Sequence, residues 1–476
     1  MCSATPPAQV DLSDSTTRPP SGTGTVAPRH STRAFPQTAV ILAAGLGSRL
    51  FPATKQPKPL VEVLGLSLAE RVLCAFVEDL GVRRIVVVLG HEAETIEAHF
   101  TEVARRRGAA IDFVRARNWH LGNGASALSA KGRVSTPFYL AMADHLFDPD
   151  MARRLAAEPP REGEVCLAVD GATADIFDID DVTRVRQANG LIEEIGKRLE
   201  AWNAADTGLF LCTEGLFEGL ERSAAKGCHG LSDGIRELAA KGQVRAVDVT
   251  GHRWLDVDTP EVLRHAEDWL SSAETGKASD GPVSRHLNRP ISRRLTRYAV
   301  RTPLTPNQIS LLSWGLSVLA AALFILGGYP ALALGGLIAQ IASIIDGCDG
   351  EVARLKRLQS DFGGWFDAVL DRYADAFLLF GLLGHSYAAS GDPATLFIGF
   401  AAITGSFMSS YTADKYDGLM AKRMAERRPF RLGRDVRVFM IFLGAVLNLP
   451  MATLLVIAVV MNLDVIRRIL VCRKGA

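Results

Sequence analysis

An α/β domain built on a Rossmann-like, mostly parallel mixed sheet, followed by an all-α domain of six transmembrane helices, is the architecture this sequence predicts. Two observations carry it. Short apolar runs that end in glycine or aspartate alternate with helical stretches from Thr38 to about Leu270. Long apolar runs begin only after about residue 305. The 476 residues exceed one ordinary core, so separate domains are expected in any case.

Residues 1–36 are rich in Ser, Thr and Pro and have no apolar centre, so they read as a disordered leader without a signal peptide. TAVILAAG is a buried strand running into a loop; RRIVVVLG and PFYLAMAD are two more. Helices are expected at Leu68 to Leu80 and Glu92 to Arg107. This domain spans 37–270, with ligands expected at the carboxyl ends of its strands. Residues 271–282 form a linker by composition. Within 283–304, Arg285, Arg289, Arg293, Arg294, Arg297 and Arg301 mix with Leu287, Ile291, Leu295 and Tyr298. That pattern suits an amphipathic helix on an anionic membrane surface, though a solvated basic helix has the same composition.

From 305 to 476, six spans are expected: Ile309 to Leu326, Pro330 to Ile345, Ala368 to Ala389, Ala394 to Tyr411, Val438 to Leu449 and Met451 to Ile466. Basic residues concentrate between Lys415 and Arg437 and in the C-terminal tail. Both termini are therefore expected on the cytoplasmic side of the cell membrane. The net charge of +1 gives no reason to expect nucleic acid as a partner. The seven cysteines include no CxxC pair, which argues against zinc and disulfides.

Chemistry concentrates in two places. After the first strand comes LAAGLGSRLFPATKQPKPL. Gly45 and Gly47 let backbone amides approach a triphosphate, and Arg49 and Lys58 supply cations. The spacing fits neither a Walker loop nor a dinucleotide fingerprint. These residues resemble the sugar-phosphate nucleotidyltransferases over 38–270, and further landmarks match. By that resemblance, Gly122, Asn123 and Gly124 of WHLGNGASAL serve the base and ribose. Asp144 and Asp258 hold a divalent metal, and Lys197 meets the acceptor's phosphate. The chemistry agrees, because attack on an α-phosphate needs charge neutralised on both sides of an in-line displacement. Either aspartate could instead be a cap or turn residue.

The second place reads DGCDGEVARLKRLQSDFGGWFDAVLDR. Asp346 and Asp349 share one helical face, and Asp367 and Asp371 another. Four carboxylates at the mouth of two spans would repel strongly without cations. Two Mg²⁺ or Mn²⁺ ions resolve this with oxygen ligands alone. Gly350, Ala353 and Gly363 are small enough for a nucleotide to pack against, and Arg354 can meet a phosphate. The full spacing is that of the CDP-alcohol phosphatidyltransferases, which the segment resembles at every signature position. The resemblance implies that Asp346, Asp349 and Asp367 bind metal, and that Asp371 helps there and deprotonates the acceptor hydroxyl. It also implies that Asn307 lies near the nucleotide and that the membrane half forms a homodimer. Arg434 and Arg437 suit a phosphorylated acceptor, although positive-inside charge accounts for them equally well.

A domain that consumes a CDP-alcohol, fused to one that could make it, argues for CTP as the nucleotide. The pair is similar to the fused enzymes of di-myo-inositol phosphate synthesis. This resemblance implies CTP and inositol 1-phosphate as substrates and CDP-inositol as intermediate, with a second inositol 1-phosphate as acceptor. A lipid alcohol as acceptor, giving a phospholipid headgroup, is the alternative. A six-span transporter or receptor with a nucleotide sensor would release no CMP, and the acidic signature argues against it.

Overall fold

The computed structural model describes residues 36–274, 281–420 and 433–474. The expected leader, part of the linker, and Lys422, Arg423, Arg427, Arg428 and Arg431 of the basic connector lie outside the described residues.

Nine strands form the main sheet of the first domain: β1 (Thr38–Ala43), β2 (Arg84–Leu89), β3 (Ala110–Arg115), β4 (Phe138–Met142), β5 (Val165–Asp170), β6 (Arg184–Ala188), β7 (Leu191–Gly196), β8 (Ala204–Cys212) and β9 (Val244–Asp248). Their order is β3-β2-β1-β4-β8-β5-β9-β7-β6. β1, β2, β3 and β4 run parallel, as expected of buried runs such as Val40, Ile41 and Val86–Leu89. The other half is mainly antiparallel, so "mostly parallel" holds only for the nucleotide-facing half. One reason is local: Asn189 and Gly190 both have positive φ, closing a two-residue hairpin between β6 and β7. Both faces are buried under helices, giving two apolar cores.

Six helices follow: α1 (Pro306–Leu326), α2 (Tyr329–Leu355), α3 (Asp361–Ser390), α4 (Ala394–Met420), α5 (Arg434–Val446) and α6 (Pro450–Lys474). Thr305 and Gln308 form a reciprocal cap on α1, with Pro306 in its first turn. Among the described residues, three of the six are long and apolar enough to cross a membrane: α1, α2 and the Ala394–Ala413 part of α4. Two of the others fall short for visible reasons. α3 carries Asp361, Asp367, Asp371, Arg372 and Asp375 in its first half. α5 has only 13 residues, about 20 Å of helix. The six pack around Phe324, Leu332, Leu382, Ile441 and Ile457. A Cβ on Gly381 would sit 2.6 Å from the Ala321 carbonyl, so glycine sets the close approach of α3 to α1.

The basic stretch folds as a helix at Arg289–Ala299. Its polar side faces inward: Arg289, Ser292 and Thr296 all bond the fully buried Glu351 of α2. Leu287, Ile291, Leu295 and Tyr298 face outward.

Candidate active sites

The first site lies at the carboxyl ends of β1 and β4. Gly47 has φ +61°, and a Cβ there would meet Lys58 Cβ at 2.6 Å, so glycine lets the loop fold over the lysine. Lys58 is buried and bonds three carboxylates: Asp144 at 2.6 Å, Asp256 at 3.0 Å, and Asp258. Burial alone would lower the Lys58 pKa, but Asp144, Asp256 and Asp258 together raise it well above the ordinary lysine value. Burial would raise Asp144, yet Lys58 and His145 hold it well below the usual carboxylate range. Arg49 bonds Asp258 and, at 2.9 Å, Asp181; Lys197 bonds the same Asp181 at 2.8 Å.

The structure therefore brings Lys58, Asp144, Asp258 and Lys197 around one cavity of about 1320 Å³, which Gly45, Gly122 and Asn123 also line, while Arg49 and Gly47 line a smaller one of about 190 Å³ that shares Lys58, Asp144 and Asp258. Gly124 points elsewhere: a Cβ on it would meet the Gly230 carbonyl at 2.6 Å, so its smallness serves packing. Asn123 accepts from the Leu231 amide and fixes the same contact. Asp256 and His145 carried no signal in the sequence reading. With Asp144 they form a group whose ligand atoms lie within 4.8 Å of one another. Burial would lower His145, but Asp256 and Asp144 raise it to about 9. Gly208 makes room for this ring, since a Cβ there would sit 2.2 Å from His145 Cδ2.

The second site lies where α2 and α3 meet. Asp346, Asp349 and Asp367 form a second group within 4.8 Å, although the chain separates Asp346 from Asp367 by a turn and part of two helices. Asp349 accepts from Ser310 of α1 at 2.5 Å and Asp346 from Ser313 at 3.2 Å. Asp367 Oδ1 is buried without a hydrogen-bond partner, and an unpaired buried carboxylate oxygen among two others calls for a cation. Asp371 is outside this triad; Arg434 bonds it and Asp346, each at 2.7 Å. Gly350 and Arg354 line the same cavity of about 350 Å³. Asn307 stands by Gly363, on which a Cβ would come within 3.5 Å of Asn307 Oδ1. Ala353 sits on α2 beside Arg354 but does not line this cavity.

Arg437 is buried and held by Asp375 at 2.7 Å and Ser410 at 3.0 Å. Asp375 also meets Arg434 at 3.3 Å. The pattern Asp367-x3-Asp371-x3-Asp375 would have pointed to Asp375, had the helical spacing been carried one turn further.

Two family models match the chain: the MobA-like NTP transferase domain over residues 39–241 and CDP-alcohol phosphatidyltransferase over 303–470. A "Bifunctional IPC transferase and DIPP synthase" of Rubrobacter xylanophilus is 39% identical over 92% of this chain and 97% of its own. The chain belongs to the bifunctional IPC transferase and DIPP synthase family. The Aquifex aeolicus protein of the same name is 36% identical over 90% of this chain and 96% of its own. An "Archaetidylinositol phosphate synthase" of Pyrococcus horikoshii is 28% identical over 36% of this chain and 85% of its own. The chain carries a nucleotidyltransferase domain and a CDP-alcohol phosphatidyltransferase domain. Each has an acidic group able to hold a divalent metal.

Proposed function

We propose that the soluble domain joins CTP to inositol 1-phosphate, giving CDP-inositol and pyrophosphate. The membrane domain then transfers the inositol phosphate group of CDP-inositol to a hydroxyl of a second inositol 1-phosphate. That step gives a phosphorylated di-myo-inositol phosphate and releases CMP. The observation that carries this reading is the match to bifunctional relatives over nine-tenths of the chain, with an acidic group at each expected site.

In the first step a phosphate oxygen of inositol 1-phosphate attacks the α-phosphorus of CTP, and the bond to pyrophosphate breaks. Lys58 and Arg49 balance the charge that builds on the phosphates, and Lys197 orients the attacking phosphate. Asp144, with Asp258 or Asp256, would hold Mg²⁺, which supplies Lewis-acid charge to the triphosphate. In the second step Asp371 takes the proton of the acceptor hydroxyl as its oxygen attacks the β-phosphorus, next to inositol. Asp346, Asp349 and Asp367 would hold Mg²⁺ against the departing CMP. Arg434 neutralises Asp346 and Asp371; with divalent charge on the acids it can turn to the acceptor's phosphate. Arg437, locked by Asp375, supports Arg434 from behind. We place the six helices in the cell membrane with both catalytic sites cytoplasmic, and expect a homodimer through the membrane half.

The experiment is a product assay on membranes given CTP and labelled inositol 1-phosphate. A water-soluble labelled product made with CMP release is expected. Label in the organic phase would favour a lipid acceptor instead.

A further inference from the structure

The first domain reaches into the second through a small hairpin just after Lys58, formed by Glu62–Val63 and Leu66–Ser67. Leu64 at its tip packs with Val300, Ile309, Cys348, Val352 and Leu355 of the membrane half. Gly65 has φ +80°, and a Cβ there would lie 2.6 Å from the Val300 carbonyl, so only glycine fits this approach.

The contact falls on the end of α2, the helix that carries Asp346, Asp349 and Arg354. A helix leaves its last carbonyls without internal partners. Backbone amides of 356–358 meet those of Val352, Ala353 and Arg354; the other domain supplies a donor to Leu355 and to the two carbonyls that follow the helix. Arg71 donates to Leu355 O at 3.3 Å while also holding Val63 O and Leu64 O of the hairpin. Arg107 donates to Arg357 O at 2.8 Å and Lys356 O at 3.2 Å. Buried Glu70 anchors Arg107 at 2.8 Å, and Asp79 holds Arg357 at 2.8 Å. On the membrane side, Lys356 donates to Thr302 O at 2.6 Å, just ahead of the cap of α1. Two cations at a helix C-terminus also oppose its negative dipole end.

We infer that the nucleotidyltransferase domain positions the membrane active site: Arg71, Arg107 and the Leu64–Gly65 tip act as positioning residues that fix the last turn of α2. Arg354 lies in that turn, and Gly350 and Asp349 lie in the turn before it, so the binding of the CDP-alcohol depends on a cap supplied by the other enzyme. The soluble domain thus has a second role besides its own chemistry. This rests on the transferase reading of the α2–α3 site.

The test uses the full chain purified in detergent, with two separate assays. One follows pyrophosphate release from CTP and inositol 1-phosphate. The other follows CMP release from supplied CDP-inositol and inositol 1-phosphate. Arg107→Gln and Gly65→Ala are each expected to raise the KM for CDP-inositol about tenfold, with kcat less affected and pyrophosphate release within about twofold of the parent. Arg107→Lys, which keeps a cation at the carbonyls, is expected to recover part of the loss. Unchanged transfer constants in both Arg107→Gln and Gly65→Ala would overturn the inference. So would equal loss of both activities in all three variants, which marks a general folding role. A parent chain that releases no CMP from CDP-inositol sinks the transferase reading itself; a working parent with unaltered variants sinks this inference alone.

Discussion

Lys58 illustrates how one side chain can serve three others. Its ammonium bonds Asp144, Asp256 and Asp258, which come from strand ends far apart in the chain. Lys58→Met would leave these carboxylates facing each other and the triphosphate. Pyrophosphate release is expected to fall by about a hundredfold or more, while CMP release from supplied CDP-inositol persists. Loss of both in a folded protein would refute the assignment. The sequence made Lys58, Asp144 and Asp258 legible because they sit in motifs. Asp256 was hidden although it is two residues from Asp258, since only the pairing of Trp254–Asp256 with His145–Phe147 aims it at His145. A second residue predicts a pH effect. Ser67 Oγ accepts the Glu70 amide and lies within hydrogen-bond distance, 2.7 Å, of His99 Nε2. Burial lowers the His99 pKa, and Glu70 offsets this only partly. A folded value below the unfolded value, about 6.5, means that the stabilisation is full above that pH and is lost as pH falls. Thermal unfolding should shift down between about pH 7 and 5, and His99→Gln should flatten part of that slope. An identical slope in the variant would exclude His99 as a source.

At the scale of elements, long apolar runs were the easiest to read, and all six helices lie where those runs are. The runs understated the ends: α2 continues to Leu355 and α3 starts at Asp361, so the whole acidic signature is helical apart from the short turn between them. Short elements were not legible. The hairpin at Glu62–Ser67 has strands of two residues, too short for any period to register. The Arg289–Ala299 helix was legible as amphipathic, but its inward side was not, because the partner that decides it is Glu351, a residue inside the transferase signature. Glu351→Ala would remove the carboxylate that Arg289, Ser292 and Thr296 share, and cost about 3 kcal/mol. The helix should then detach from α2. Limited trypsin digestion would detect this as new cleavage at Arg293, Arg294 or Arg297 ahead of any loss in the β-sheet domain. Unchanged cleavage would mean that Glu351 is not what holds the helix.

For the whole molecule, among the described residues the two cavities share no lining residue. The domains touch at the end of α2 and through the Arg297–Asp268 and Arg301–Glu267 ion pairs. CDP-inositol made at the first site should therefore enter solution before the second site binds it, and joining the domains adds no effective concentration without a path. Asp144→Asn should fail to make CDP-inositol yet still use it when supplied. Asp371→Asn should make it and accumulate it. Mixed in one detergent solution with CTP and inositol 1-phosphate, the two variants should together form the final product, after a lag while CDP-inositol builds up. The parent chain at equal concentration should show a similar lag, because it too must fill the solution. A parent without a lag, beside a mixture with one, would reveal direct transfer between the sites; the domains would then have to rearrange from the arrangement in this structure.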